Sequence, residues 1–323
     1  MNNPLVSVII PNYNHAKYLD ERIQSILNQT YQDFELIILD DKSTDNSLEI
    51  IKKYKDNQHI SHIVVNEENS GSTFKQWHKG FELAKGEWVW IAESDDYCDE
   101  DLLEKLISVI KKGEDVAVVY CTSQTVDTNG KKIGLEQPLS DKVDYIKGSD
   151  FIRNRMLVGN AIPNASSTIF KKEYALKADR QYMNYVAAGD RLFWIELAEM
   201  GNVAHLHSPK NYFRQHQNKV SPWKERAGIT SEEDYKIFRY LKMNHYIGIF
   251  CEAFVRSQIL NHIEKIQFDD EMVMIHQQKI WSYDGKVPVK WLLLYGKLYQ
   301  KINDYFFELP LYELKKYGLC KTF

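Results

Sequence analysis

An α/β fold on a mostly parallel sheet is predicted for this chain of 323 residues by three observations. Five short apolar runs rich in β-branched residues recur between residues 5 and 120. Each of the first four is followed by a stretch with apolar positions at helical spacing. The lengths between the runs suit crossovers rather than hairpins, which makes neighbouring strands parallel.

LVSVII (5 to 10) reads as the first strand, ended by Pro11, and residues 16 to 28 place Leu19, Ile23, Ile26 and Leu27 on one helical face. FELIIL (34 to 39) is the second strand, followed by a helix carrying Leu48, Ile51 and Tyr54, with Thr44 or Asp45 placed to cap it. IVV (63 to 65) is the third, and Phe74, Trp77, Phe81 and Ala84 mark its helix, with Gly86 suited to the C′ position. EWVWIA (87 to 92) is the fourth, before a helix with Leu102, Leu103, Leu106 and Ile110, and VAVVY (116 to 120) is the fifth.

Composition narrows the function classes. Hydrophobic residues are 44% and charged residues 27%, enough for a substantial core and against wholesale disorder. The net charge of -4 argues against a nucleic-acid partner. No apolar run approaches the roughly 18 residues of a membrane span, and no export signal is expected. Cys98, Cys121, Cys251 and Cys320 lie far apart without CxxC pairing, which fits a reducing cytoplasm and neither a zinc knuckle nor a disulfide framework.

In parallel sheets ligands bind beyond the carboxyl ends of the strands. Those turns read PNYNH (11 to 15), DDKSTDNS (40 to 47), NEENSGS (66 to 72) and ESDD (93 to 96). Neither GxGxxG nor GxxxxGK[ST] occurs, so no glycine loop cradles a phosphate. Carboxylates dominate three of the four turns. They repel a bare diphosphate and attract it once a divalent cation lies between them. Taken singly, Asp40 and Asp41 are ordinary turn formers and Asp95 or Asp96 an ordinary helix start. Four polar turns on one sheet edge point further than any one of them.

These motifs, from VSVIIPNYNH through DDKSTDNS, NSGS and ESDD, resemble the inverting family 2 glycosyltransferases of GT-A fold over about residues 4 to 220. The resemblance implies a nucleotide-sugar-binding and catalytic domain over 1–221, a mainly helical extension over 222–323, and a nucleoside diphosphate sugar donor, commonly UDP-linked. It places Pro11, Tyr13 and Asp41 around the base, Tyr13 stacking and Asp41 accepting from the base N–H, with Asn14 beside them. Glu93, Ser94 and Asp95 occupy the family's DxD position, with Asp96 adjacent. Glu93 departs from the family's first Asp, so Asp95 and Asp96 are the expected ligands of Mn²⁺ or Mg²⁺.

The second half adds NASST (164 to 168), AAGDRLFW (187 to 194) and YFRQHQNKVS (212 to 221). Asp190 opens a helix, where the simple reading is an N-cap. By the resemblance it is instead the catalytic base that takes the proton of the acceptor hydroxyl. Arg214 and His216 match an element that approaches the diphosphate or the metal, His216 as a metal ligand; a surface loop is the simpler reading. Asn164 faces donor sugar or acceptor, and its N-x-S sequon is not read as a glycan site. Gly71 provides either a special backbone conformation or close packing near the nucleotide.

Thr230 to Glu233 forms a T-x-x-E capping box before a helical stretch ending near Ile266. From Lys286 onward seven Lys stand against three acids. Trp291, Tyr295 and Tyr299 lie four residues apart beside Leu294 and Leu298, with Lys290, Lys297 and Lys301 nearby. Two readings stay open: a helix lying in the membrane interface at the inner face of the cell membrane, or one packed on the catalytic domain or a second subunit. The expected function is transfer of a sugar to a saccharide or lipid-linked saccharide hydroxyl in bacterial surface polysaccharide synthesis. An inactive nucleotide-sugar-binding subunit and a sugar nucleotidyltransferase are the rivals; the latter would want a Gly-rich, Arg-containing loop where PNYNH stands.

Overall fold

The computed structural model describes residues 4–134, 140–216 and 221–306. Its elements run β1 (Val6–Asn12), α1 (Ala16–Leu27), β2 (Phe34–Asp40), α2 (Ser47–Lys52), β3 (Ile60–Val65), α3 (Thr73–Leu83), β4 (Trp88–Ile91), β5 (Tyr97–Cys98), α4 (Leu102–Lys112) and β6 (Val116–Val126). There follow β7 (Val143–Ile146), α5 (Gly148–Arg155), β8 (Thr168–Lys171), α6 (Lys172–Lys177), α7 (Gly189–Met200), β9 (Asn202–Arg214), α8 (Ser221–Arg226), α9 (Ile229–Met243), α10 (Ile249–Ile263), α11 (Glu271–Trp281) and α12 (Val289–Phe306). The five predicted strands and the helices between them are all present.

Contacts divide the chain into two units, the first comprising residues 1–148, 162–184 and 196–217 and the second residues 149–161, 185–195 and 218–323. The second therefore takes two pieces that precede residue 222 in the chain.

The first unit holds one mixed sheet in the order β3-β2-β1-β4-β8-β6-β9-β5, with β7 also pairing to β9. β3, β2, β1 and β4 are mutually parallel, whereas β8 runs antiparallel to both β4 and β6. β1 and β2 are buried along their whole length, which is why they read as continuous apolar runs rather than alternating ones. Val6, Val8 and Ile10 from β1 and Leu36 and Ile38 from β2 join Leu19, Ile23 and Ile26 from α1 and Leu102, Leu103 and Leu106 from α4 in one core.

Two local expectations change. α3 ends at Ala84, and a Cβ on Gly86 would lie 2.6 Å from the Ser7 nitrogen; Gly86 is there for close backbone approach to β1, not as a C′ residue. Asp45 does serve helix starts, accepting from the Ser47 nitrogen at 3.0 Å and from the Ala16 nitrogen at 2.8 Å, and so ties the first turns of α2 and α1 together.

The second unit is helical. Trp281 is buried between Tyr235 and Phe238, with its indole N–H on Ser231 Oγ at 3.1 Å. Arg256 lies 4.0 Å over the Tyr283 ring and donates to Glu252 at 3.0 Å. α9 begins at Ile229 after Gly228, whose φ is +77°, and no side chain caps it. Glu233 faces elsewhere: its carboxylate accepts from the backbone nitrogens of Val186, Ala187 and Ala188 at 2.7, 2.8 and 2.8 Å. The capping-box reading gives way because three amides just ahead of α7 hold that carboxylate. Among the described residues no helix is long and apolar enough to cross a membrane. Cys98, Cys121 and Cys251 are free thiols, while Cys320 and the tail from residue 307 lie outside the described residues.

Candidate active site

Parallel pairing puts the ends of β1, β2 and β4 on one edge, with Asn12 opposite Asp40 and Ile9 opposite Ile91. The turn after β2 bends back under tight control. Asp41 is buried, and its Oδ1 accepts from Asn66 Nδ2 at 2.6 Å, the Ser70 nitrogen at 2.9 Å and Gln76 Nε2 at 3.0 Å, while Oδ2 accepts from Ser70 Oγ at 2.7 Å. A carboxylate has about four lone-pair directions, so Oδ2 retains room for one more donor. Gly71, within the loop that serves Asp41, has φ of +70°, and a Cβ there would meet nothing within 4 Å. Its role is conformational and not a matter of packing.

The first turn is shaped by Asn14, whose φ of 57° is left-handed and whose Oδ1 accepts from the Thr44 nitrogen at 2.7 Å. Pro11 is buried within β1, and Tyr13 is 46% exposed beyond it. A large aromatic left open on this edge is available to stack on a planar ligand.

The turn after β4 gathers the charge. His216 Nε2 lies 3.0 Å from Asp95 Oδ2, and His15 Nδ1 lies 2.8 Å from Ser94 Oγ. One donor atom each from His15, Asp95 and His216 falls within 4.8 Å of the others. Two imidazoles and a carboxylate form a set that can hold a divalent transition ion, Mn²⁺ among them, and the Ser94 hydroxyl orients one of the rings. The residues therefore fit a divalent cation.

Three other expected site residues are placed differently. Asp96 is not in this cluster: its Oδ2 accepts from Asn164 Nδ2 and Ser166 Oγ, both at 2.7 Å, and its Oδ1 from the Arg214 nitrogen at 2.9 Å. Those three donors, together with its burial, hold the carboxylate that was expected to bind metal inside the protein. Asn164 is buried with it, its Oδ1 accepting from Asn211 Nδ2 at 3.1 Å, and does not present its amide to a ligand. Arg214 is also buried; its Nε donates to the Asp95 carbonyl at 2.8 Å, its NH2 pairs with Glu21, and its plane lies 4.7 Å over Tyr18 and 5.1 Å over Tyr97. It supports the Asp95 backbone from beneath. Asp96→Ala should lower stability by roughly 3 kcal/mol, since it strips three buried donors of their acceptor, whereas Asp95→Ala should change it little. Urea denaturation of the two variants checks this.

Glu93 accepts from the Trp77 indole N–H at 3.0 Å. Desolvation, and then repulsion from Asp95, pushes its pKa up to about 8. Burial likewise raises Asp96, with Asp95 adding to it. The fully buried Arg22, 5.2 Å over the Trp90 ring, offsets part of that repulsion for both.

Asp190 belongs to the second unit and sits in the first turn of α7. Its Oδ2 accepts from Asn160 Nδ2 at 2.7 Å and its Oδ1 from the Arg191 nitrogen at 2.8 Å. Burial outweighs these bonds and pushes its pKa up to about 6. Arg191 locks the same turn, donating to Asp234 at 2.5 Å and to the Met156 carbonyl at 2.6 Å.

His15, Asn160 and Glu233 were not anticipated as site residues. His15 carried one signal, its position in a strand-end turn. Asn160 and Glu233 carried none, because each matters only through a partner at least 30 residues away in the chain.

Comparison with known proteins bears on the family and the fold. The sequence model described as glycosyl transferase family 2 matches residues 7–171. An uncharacterized glycosyltransferase of Nostoc is 30% identical over 255 residues, covering 76% of this chain and 75% of that protein. Chondroitin synthase of Pasteurella multocida is 37% identical over 131 residues, 40% of this chain and 13% of that protein. The chain spans about half the length of the curated relatives it matches first, 57% and 45%. Among solved structures, S. aureus TarS in complex with UDP-GlcNAc superposes with a TM-score of 0.56 at 22% identity, covering 86% of this chain and 71% of that one. That likeness establishes the fold. With the family model covering half of the sequence and a relative aligned along three quarters of both chains, this protein belongs to glycosyltransferase family 2.

Proposed function

We propose that this chain transfers a sugar, with inversion, from a nucleoside diphosphate sugar, UDP-linked, to a hydroxyl of a saccharide or lipid-linked saccharide. The observation that carries the proposal is the convergence of His15, Asp95 and His216 at the carboxyl edge of the parallel strands. Tyr13 would stack on the base, and Asp41 Oδ2 would accept from its N–H, held in place by Asn66, Ser70 and Gln76. Pro11, Asn14 and Gly71 shape the loops around it. A divalent cation, Mn²⁺ rather than Mg²⁺ given the two imidazoles, bound by His15, Asp95 and His216 would supply charge stabilisation to the departing diphosphate. Asp190 would take the hydroxyl proton as the new bond forms on the face opposite the leaving group, a single displacement that inverts the anomeric centre. A carboxyl with a pKa near 6 is ionised at neutral pH yet more basic than an exposed one. Titrating UDP with and without Mn²⁺ tests the reading: the affinity must rise with the ion.

Polysaccharide synthesis is the proposed setting, supported by the chondroitin synthase relative. α12 adds a place for it. One face packs toward α10, with Tyr299 4.8 Å from Phe254. The other leaves Trp291, Leu294 and Leu298 more than half exposed among Lys290, Lys297 and Lys301. Apolar and cationic groups together match an anionic lipid surface. Flotation with anionic vesicles should carry the protein, and changing Trp291, Leu294 and Leu298 to Ser should release it. A concentration-dependent dimer with no flotation would instead assign the face to a second subunit.

A further inference from the structure

A second cluster of metal-ligating side chains lies outside the site just described, within the same sheet. In the antiparallel pairing of β7 with β9, Asp144 stands directly opposite His205, and Val143 opposite Leu206. Side chains alternate along a strand, so His205 and His207 share one face with Asp144. Leu206 and Val143 point the other way, into the core. One donor atom from each of Asp144, His205 and His207 falls within 4.8 Å of the other two.

We propose that Asp144, His205 and His207 form a second metal site, which takes one borderline divalent transition ion, Zn²⁺ foremost, and clamps the short strand β7 to β9. Two imidazoles and a carboxylate are the donor set of zinc rather than of magnesium or calcium, whose sites are built from oxygen alone. His207 Nε2 and Asp144 Oδ2 are 2.7 Å apart. Two ligands of a tetrahedral zinc lie about 3.3 Å apart, so the pair opens by about half an ångström to admit the ion. The His205 and His207 rings have centroids 4.2 Å apart, close enough for one ion to reach a nitrogen of each. Outer contacts already fix the ligands: His205 Nε2 lies 3.1 Å from Thr122 Oγ1 and its ring stacks on Tyr120 at 4.4 Å, while Lys142 holds the other oxygen of Asp144 at 3.1 Å. Such partners are what orient metal-binding side chains elsewhere. The Asp144 side chain is 21% exposed, which gives the ion an entry path and a water for its remaining position. Along β9, His207 precedes Arg214 by seven residues, roughly 20 Å of strand, so the two clusters bind their ions separately.

The test uses the full chain with Asp95→Asn and His216→Gln, which disable the first cluster, freed of metal by a chelator and dialysed against Zn²⁺. One equivalent should bind and raise the melting temperature. Adding Asp144→Asn and His207→Gln should weaken Zn²⁺ by ~100-fold or more. X-ray absorption on the Zn²⁺-loaded protein before those last two changes should find two imidazole nitrogens around the ion, a readout that needs no further variant to fold. Absence of zinc binding, unchanged affinity after the Asp144 and His207 changes, or a shell without imidazole would each overturn the proposal.

Discussion

An Asp190→Asn variant should bind its nucleotide sugar as the parent does and transfer almost none of it, with the rate down by ~10² to 10⁴. The amide keeps the size of the side chain and cannot take a proton. The same variant should be more stable than its parent. Burial raises Asp190 from 3.8 to about 6, so the folded protein holds that proton more tightly than the unfolded chain does. For a raised acid the contribution to stability is greatest at low pH, falls as pH rises from about 4 to about 6, and stays low above. At about 1.4 kcal/mol per pH unit, the charged carboxylate costs on the order of 3 kcal/mol at pH 8. Removing it should raise the melting temperature by several degrees at pH 8 and by little at pH 4. Parental transfer drops about tenfold for each pH unit below 6, as the base is protonated. If Asp190→Asn transfers sugar at the parental rate, the base is another residue.

The second large effect concerns the cation. In the parent, Mn²⁺ should tighten UDP binding by ~10- to 100-fold, because the Asp95 carboxylate otherwise presents like charge to a diphosphate. Asp95→Asn and His216→Gln should each abolish most of that gain and leave the metal-free affinity unchanged or slightly better. Asp96→Asn, by contrast, should keep the dependence on Mn²⁺, since its carboxylate serves Asn164, Ser166 and Arg214. Calorimetric titration of UDP against these variants distinguishes the two aspartates. Equal UDP affinity with and without the ion in the parent would remove the bridging role altogether.

The reason Asp95 and Asp96 could not be told apart beforehand is geometric. They are neighbours in a turn, where no periodicity fixes which side chain looks outward, and the answer depends on where Arg214 and Asn164 arrive from later in the chain. The strands were legible for the opposite reason. β1 and β2 are buried on both faces, so their identity is local and shows as an unbroken apolar run. β8 and β5 were not legible: each is two to four residues long and is defined by its antiparallel partner alone. The same distinction divides the candidate site. Tyr13, Asp41 and Asp95 follow directly from strand ends and could be named, and His216, arriving from the end of β9, was named through the resemblance, whereas His15 joins the cluster through a helix start and was missed. Arg214 shows the converse, a residue that looks like a ligand contact in sequence and is a buried support in space.

The grip of Glu233 on the three amides before α7 has one more implication. That carboxylate lies well past residue 171, where the family's sequence model stops, yet it steadies the loop leading into Asp190. On the proposed assignment of Asp190 as base, the portion of the chain that resembles an attachment thus takes part in placing that base.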